Sequence, residues 1–133
     1  YLEYGHVKLR EQLGLLSGPV EEFKKSAEAE HNAMLNMLVK EGYLDADVLE
    51  DELANENEIV DALYRGLKGS PCKLMAASIV DAVGEKRTQN QPGTSNEYPN
   101  WRIPLADGDG NVVPLEELFG NARLQEIAAI MRG

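Results

Sequence analysis

The sequence predicts a mainly helical protein with at most minor strand, and three observations carry that expectation. Apolar residues recur at three- and four-residue spacing over most of the chain, which gathers them on one helical face. Gly and Pro stand at the joints between these stretches, at Ser17-Gly18-Pro19 and Gly69-Ser70-Pro71, where they stop helices. One short run alone, Lys73 to Val80, breaks the helical period with nearly continuous apolar character.

The first helix is expected from Leu2, with Leu2, Leu9, Leu13 and Leu16 on one face and His6 filling the same stripe. A histidine so placed is more often a hydrogen-bonded packing residue than a ligand. Gly14 weakens the end of this helix and Ser17-Gly18-Pro19 stops it. Pro19 then opens a second helix, with Glu21 and Glu22 in its first turn complementing the dipole. Its inward stripe reads Val20, Phe23, Ala27, Met34 and Leu38, widened by Leu35 and Met37, interrupted by Glu30 and His31, and ended by Gly42. Glu28, Glu30 and His31 invite a metal reading. Successive residues point about 100° apart on a helix, so they do not converge as zinc ligands do.

Asp45 to Leu53 reads as a short acidic helix with Val48, Leu49 and Leu53 inward. Asp45, Asp47, Glu50, Asp51 and Glu52 have no apolar pocket nearby to raise one pKa, so they read as a solvated face rather than an acid/base pair. Ile59, Val60, Leu63, Tyr64 and Leu67 define a strongly amphipathic helix capped by Asn55 or Asn57. Lys73 to Val80 follows, either a strand covered on both faces or the start of a buried helix running to Ala82. One helical turn is expected over Asp81 to Gly84.

Asn90 to Leu105 carries three of the six prolines, the only tryptophan and three asparagines, so its backbone must turn or extend. A loop of this length is functional, disordered or a rigid crossover, and Tyr98 and Trp101 argue against disorder. Beyond it, Asp107-Gly108-Asp109-Gly110-Asn111 opens like a calcium loop. Val112 stands where that loop needs Gly and Leu118 where it needs Glu, so a surface turn between two extended pieces is the better reading. Pro114 begins a helical turn containing Leu115, Leu118 and Phe119, and Asn121 caps a last helix with Leu124, Ile127, Ala128 and Met131 inward.

Asn90-Gln91-Pro92-Gly93-Thr94 followed by Glu97-Tyr98-Pro99-Asn100-Trp101-Arg102 resembles the carboxy-terminal signature of the 4-α-glucanotransferases, the amylomaltases or disproportionating enzymes of glycoside hydrolase family 77. The usual wording there is Asn-Leu-Pro-Gly-Thr-Thr-Asp-Glu-(Tyr or His)-Pro-Asn-Trp-Arg, from which Gln91, Ser95 and Asn96 depart. His6-Val7-Lys8-Leu9-Arg10 to Leu13-Gly14-Leu15-Leu16 and Pro114-Leu115-Glu116-Glu117-Leu118-Phe119 extend the similarity over essentially the whole chain. The resemblance implies the carboxy-terminal portion of a (β/α)8 barrel enzyme. Residues 1–69 would form a helical part, 70–106 the last barrel strand and active-face loop, and 107–133 the closing turn and helices. Loops after barrel strands lie over the active face.

The family's Asp nucleophile, Glu acid/base and second Asp would all precede Tyr1, so none of the three catalytic carboxylates is expected here and the 133 residues alone should be inactive. A barrel strand without neighbours leaves two open edges, to be covered by helices, paired with a second copy in self-association, or left irregular. By the same resemblance the substrate is a malto-oligosaccharide and the reaction is transfer of an α-1,4-glucan segment with retention. Asn90 is the substrate-binding candidate, since an amide donates and accepts as a sugar hydroxyl does. Pro92, Gly93, Trp101 and Arg102 are expected to shape the loop, Arg102 by pairing with a carboxylate and Trp101 by packing in a fixed corner or lying beneath a sugar.

Composition narrows the partners. The net charge is −10, and Glu21 to Asp61 holds 13 acids against 3 lysines, a field that repels phosphate and anionic lipid. Nucleic acid and membrane are therefore not expected as partners, nor is a cofactor or metal. The lone Cys72 forms no internal disulfide and suits a reducing cytoplasm. The competing class is an acidic helical interaction module without catalytic role, which would present a large apolar patch and no polar cleft.

Overall fold

The computed structural model describes residues 4–133, which form α1 (Gly5–Gln12), α2 (Val20–Lys40), a 3-10 segment (Ala46–Glu50), α3 (Glu56–Gly69), α4 (Ile79–Val83), α5 (Leu115–Leu118) and α6 (Ala122–Arg132). Leu2, expected on the first stripe, lies outside the described residues. In α1 the buried residue is Val7, while Leu9 and the following Leu13 and Leu16 are half-buried and His6 is exposed. The expected stripe is thus rotated, because α1 leans on α2 along the edge that carries Arg10. The Arg10 guanidinium lies 5.9 Å from the centre of the Phe23 ring.

The buried face of α2 is Ala27, His31, Leu35 and Leu38, so His31 belongs to the stripe it was expected to interrupt. It is tolerated there because Nε2 lies 2.6 Å from Glu52 Oε2, and a buried polar ring needs such a partner. Met37, expected to widen the stripe, is exposed. After the C-cap Glu41 the chain turns through Gly42 at φ 76°. Gly42 N–H donates to Val39 O and Tyr43 N–H to Leu38 O, a Schellman ending that satisfies two terminal carbonyls.

The acidic stretch after Asp45 tightens into a 3-10 segment rather than an α-helix. Val48 and Leu49 face inward, whereas Leu53, expected with them, is 63% exposed. Leu35, Leu38, Leu44, Val48, Ile59 and Ala62 close a first core between α2, the 3-10 segment and α3. Truncating a fully buried leucine such as Leu38 to Ala costs about 2–5 kcal/mol. A second core joins Tyr64 of α3, Ala82 of α4 and Ile127 of α6, with Val60, Leu67, Leu124, Ile130 and Met131 around it. Arg123 of α6 fastens this side by pairing with Asp61 at 2.6 Å and donating to Asn57 O at 2.8 Å. Asn121 caps α6, its side chain accepting from Leu124 N–H. Ala128, expected inward, is exposed.

Lys73 to Val80 is not a strand. Among the described residues the only bridge pairing is Ala106 with Val112, and no backbone–backbone hydrogen bond involves residues 71–77. Leu74 is 94% exposed. A single strand has nothing to pair with, so the stretch runs irregular until Ser78 N–H donates to the Tyr64 hydroxyl at 2.9 Å and α4 begins at Ile79. The architecture is therefore mainly helical, and among the described residues it holds no strand.

Candidate active-face loop

Residues 85–106 have no helix or strand, yet their backbone is tied across the loop. Trp101 N–H donates to Gln89 O at 2.7 Å, Tyr98 Oη–H to Thr88 O at 2.7 Å, and Gln91 N–H to Asn100 Oδ1 at 2.7 Å. Asn100 is the hub. Its Nδ2 donates to Thr94 Oγ1 and Thr94 O, while Thr94 Oγ1–H donates to Gln91 O at 2.7 Å. The asparagines and threonines that disfavour helix here supply side-chain bonds to the backbone instead. Buried backbone groups need such partners.

The ends of the loop meet at one carboxylate. The Glu85 side chain is 2% exposed and accepts from Arg87 N–H, Arg87 Nε, Arg87 Nη2 and Ala106 N–H at 2.6–3.0 Å. Arg87 Nη2 also donates to Pro104 O at 2.9 Å. The hydrogen bonds from Arg87 hold the Glu85 carboxyl below its ordinary range against the opposing effect of burial. Neither residue stood out in the sequence. The available signal was a carboxylate and a guanidinium two residues apart at the threshold of an irregular segment.

Asn90 sits between the two rungs made by Gln89 and Gln91. Its carbonyl accepts from Thr88 Oγ1 at 2.9 Å, and its side-chain amide makes no hydrogen bond among the described residues. Pro92 is exposed and Gly93 turns the chain at φ 86°, a left-handed conformation open to glycine. The carboxylate pairing expected of Arg102 is made by Arg87. Arg102 is exposed, forms no ion pair among the described residues, and contributes its N–H to Pro99 O at 3.0 Å. Packing of Trp101 in a fixed corner is not what the structure shows: the ring is 76% exposed and the residue has φ 59°. The Gln89 O bond holds this left-handed turn, which costs a non-glycine residue about 1–2 kcal/mol. Gln91, by contrast, is 7% exposed and was expected only as a departure from a motif.

A cleft of about 550 Å³ separates the loop from α1, lined by His6, Leu9, Arg87, Thr88, Tyr98 and Ile103. His6 is thus brought to the loop rather than into a core, and partial burial lowers its pKa. Elsewhere, Asp45, Asp47, Glu50 and Asp51 are exposed, and Glu52 is engaged with His31. The Asp107 carboxylate accepts from Asp109 N–H, Asn111 N–H and Asn111 Nδ2, closing its own turn. Those bonds, led by Asn111, keep its pKa low. Among the described residues no three His, Cys, Asp or Glu side chains are grouped to hold a metal ion. On the pinned loop the Asn90 amide is open, as are the exposed Asn96 amide and the buried Gln89 Nε2, and side-chain amides of this kind can both donate to and accept from a polyhydroxylated ligand.

A sequence model of a family described as 4-alpha-glucanotransferase matches residues 14–108. The 4-alpha-glucanotransferase of Mycobacterium tuberculosis is 46% identical over 132 residues, which cover 99% of this chain and 18% of that protein. The 4-alpha-glucanotransferase of Haemophilus influenzae is 30% identical over 122 residues, covering 90% of this chain and 17% of its own length. The fold superposes on the crystal structure of amylomaltase from Corynebacterium glutamicum with a TM-score of 0.79 and 34% identity, over 98% of this chain and 19% of that one. The chain therefore spans less than a fifth of the length of these relatives.

Proposed function

The chain belongs to the 4-alpha-glucanotransferase family, and from that premise we propose that it forms the substrate-positioning part of an enzyme moving α-1,4-glucan segments between malto-oligosaccharides. Retaining transfer needs two carboxylates about 5–5.5 Å apart, one attacking and one handling the proton. In this reading both belong to parts of the enzyme outside residues 1–133. What these residues supply is a fixed hydrogen-bonding group at the edge of the sugar site and a helical support behind it. The substrate is malto-oligosaccharide.

The observation that supports this best is the setting of Asn90. Its backbone is held on both sides by cross-loop bonds while its amide stays open, so a sugar hydroxyl would meet a donor and an acceptor already oriented. Pro92, Gly93, Trp101 and Arg102 act by fixing the path of the loop. Turnover of maltotriose by the longer protein that contains this chain tests the reading. Disproportionation should appear there and be absent from the 133 residues alone. In the longer protein Asn90→Ala should lower kcat/KM about fivefold to tenfold, the loss of one well-made hydrogen bond. An unchanged kcat/KM removes Asn90 from the site.

A further inference from the structure

We infer that Glu85 is the positioning residue of the active-face loop, a latch that closes residues 88–103 and thereby fixes where the Asn90 amide points. The inference rests on the substrate-binding reading of Asn90 and goes beyond it, since Glu85 touches no part of the site itself. Three observations carry it.

The Glu85 carboxylate is enclosed, at 2% exposure, and both oxygens are occupied. Oε1 accepts from Arg87 N–H and Nε, each at 2.9 Å, and Oε2 from Arg87 Nη2 at 2.6 Å and Ala106 N–H at 3.0 Å. An ionised carboxylate is acceptor-only, so four donors suit it and suit no uncharged replacement of the same size. The contacts also bracket one segment. Residues 85–87 lie at its entrance and 104–106 at its exit, with Arg87 Nη2 adding Pro104 O at 2.9 Å and Ala106 wholly buried. Inside the bracket, the rungs Gln89–Trp101 and Gln91–Asn100 flank Asn90 directly. Opening the bracket lets the two arms of the loop slide and parts the rungs.

The same geometry says how to break it. Glu85→Gln keeps the shape and turns one oxygen into an NH2 group facing N–H donors. Arg87→Lys keeps the charge on a half-exposed side chain and removes the planar fork with its Pro104 contact. Because the latch acts through Asn90, opening it costs at most about the fivefold to tenfold in kcat/KM expected of Asn90→Ala, and the loss is read as a rise in KM.

The test is a double-mutant cycle on maltotriose disproportionation in the longer protein, using Glu85→Gln, Arg87→Lys and Asn90→Ala. Each single variant should raise KM with kcat largely kept, and Glu85→Gln combined with Asn90→Ala should be no worse than the more damaging of the two. A variant that merely leaves fewer folded molecules lowers apparent kcat at unchanged KM, and that result for both Glu85→Gln and Arg87→Lys overturns the latch. So do losses that multiply in the double variant while Asn90→Ala alone is impaired, because Glu85 then acts independently of Asn90. Full activity in Asn90→Ala alone defeats the substrate-binding reading first and the positioning claim with it. Should Glu85→Gln fail to fold, the Arg87→Lys arm of the same cycle decides.

Discussion

Two segments of this molecule lack regular structure, and they are opposites. Residues 88–103 are held by side chain to backbone bonds from Thr88, Thr94, Tyr98 and Asn100, and Glu85 closes their ends. Residues 71–77 take part in no backbone–backbone hydrogen bond among the described residues and expose Leu74 almost fully. Irregular backbone is tied down where polar side chains reach across it, whereas in residues 71–77 the one such bond is from Cys72 N–H to Ser70 Oγ at 3.4 Å. The difference lies in composition: Asn, Thr and Tyr bond across the first, while the second is mostly Leu, Met and Ala with Lys73.

The largest test of that contrast is amide hydrogen exchange. Gln91 and Trp101 amides should exchange on the order of 100-fold more slowly than those of Leu74 to Ala77. Equal rates would erase the distinction. Next in size, Asn100→Ala removes the acceptor for Gln91 N–H and the donor to Thr94, and should destabilise the fold by about 2 kcal/mol in urea titration. A loss under about 0.5 kcal/mol would mean that the hub is decorative.

Acid gives a smaller, local effect. The Glu85 carboxyl titrates below its ordinary 4.5 when folded, so the unfolded loop binds more protons in that window. Its contribution is complete above the ordinary value and is lost as pH falls through the folded one. Emission from Trp101, the only tryptophan, should therefore change on acidification, and that step should be missing in Glu85→Gln. The smallest effect belongs to the loose segment, where Leu74→Lys should alter stability by less than about 0.5 kcal/mol in the same urea titration. A larger loss would show that Leu74 is covered.

The helices were legible because periodicity reports local geometry. The Asn121 cap and Gly42 ending lie where the sequence put them, both being decided within a few residues. His31 was misread because its partner Glu52 is 21 residues away, and a histidine in an apolar stripe gives no sign of whether it is satisfied. Lys73 to Val80 has the composition of a covered strand, but pairing is a property of neighbours and none of the described residues provides it. At the loop, the resemblance singled out Asn90, Pro92, Gly93, Trp101 and Arg102. The residues that tie the segment together, Glu85, Arg87 and Asn100, went unmarked or were quoted only as part of the motif. Their roles depend on which ends of the loop approach each other, which no local pattern encodes.

α3 shows Ile59 and Ala62 to one cluster and Tyr64 to the other. It is a party wall between two rooms, and neither room has a second wall of its own on that side. Heat should consequently bring both down in one calorimetric event, and cleavage within Glu56–Gly69 should leave neither half able to stand.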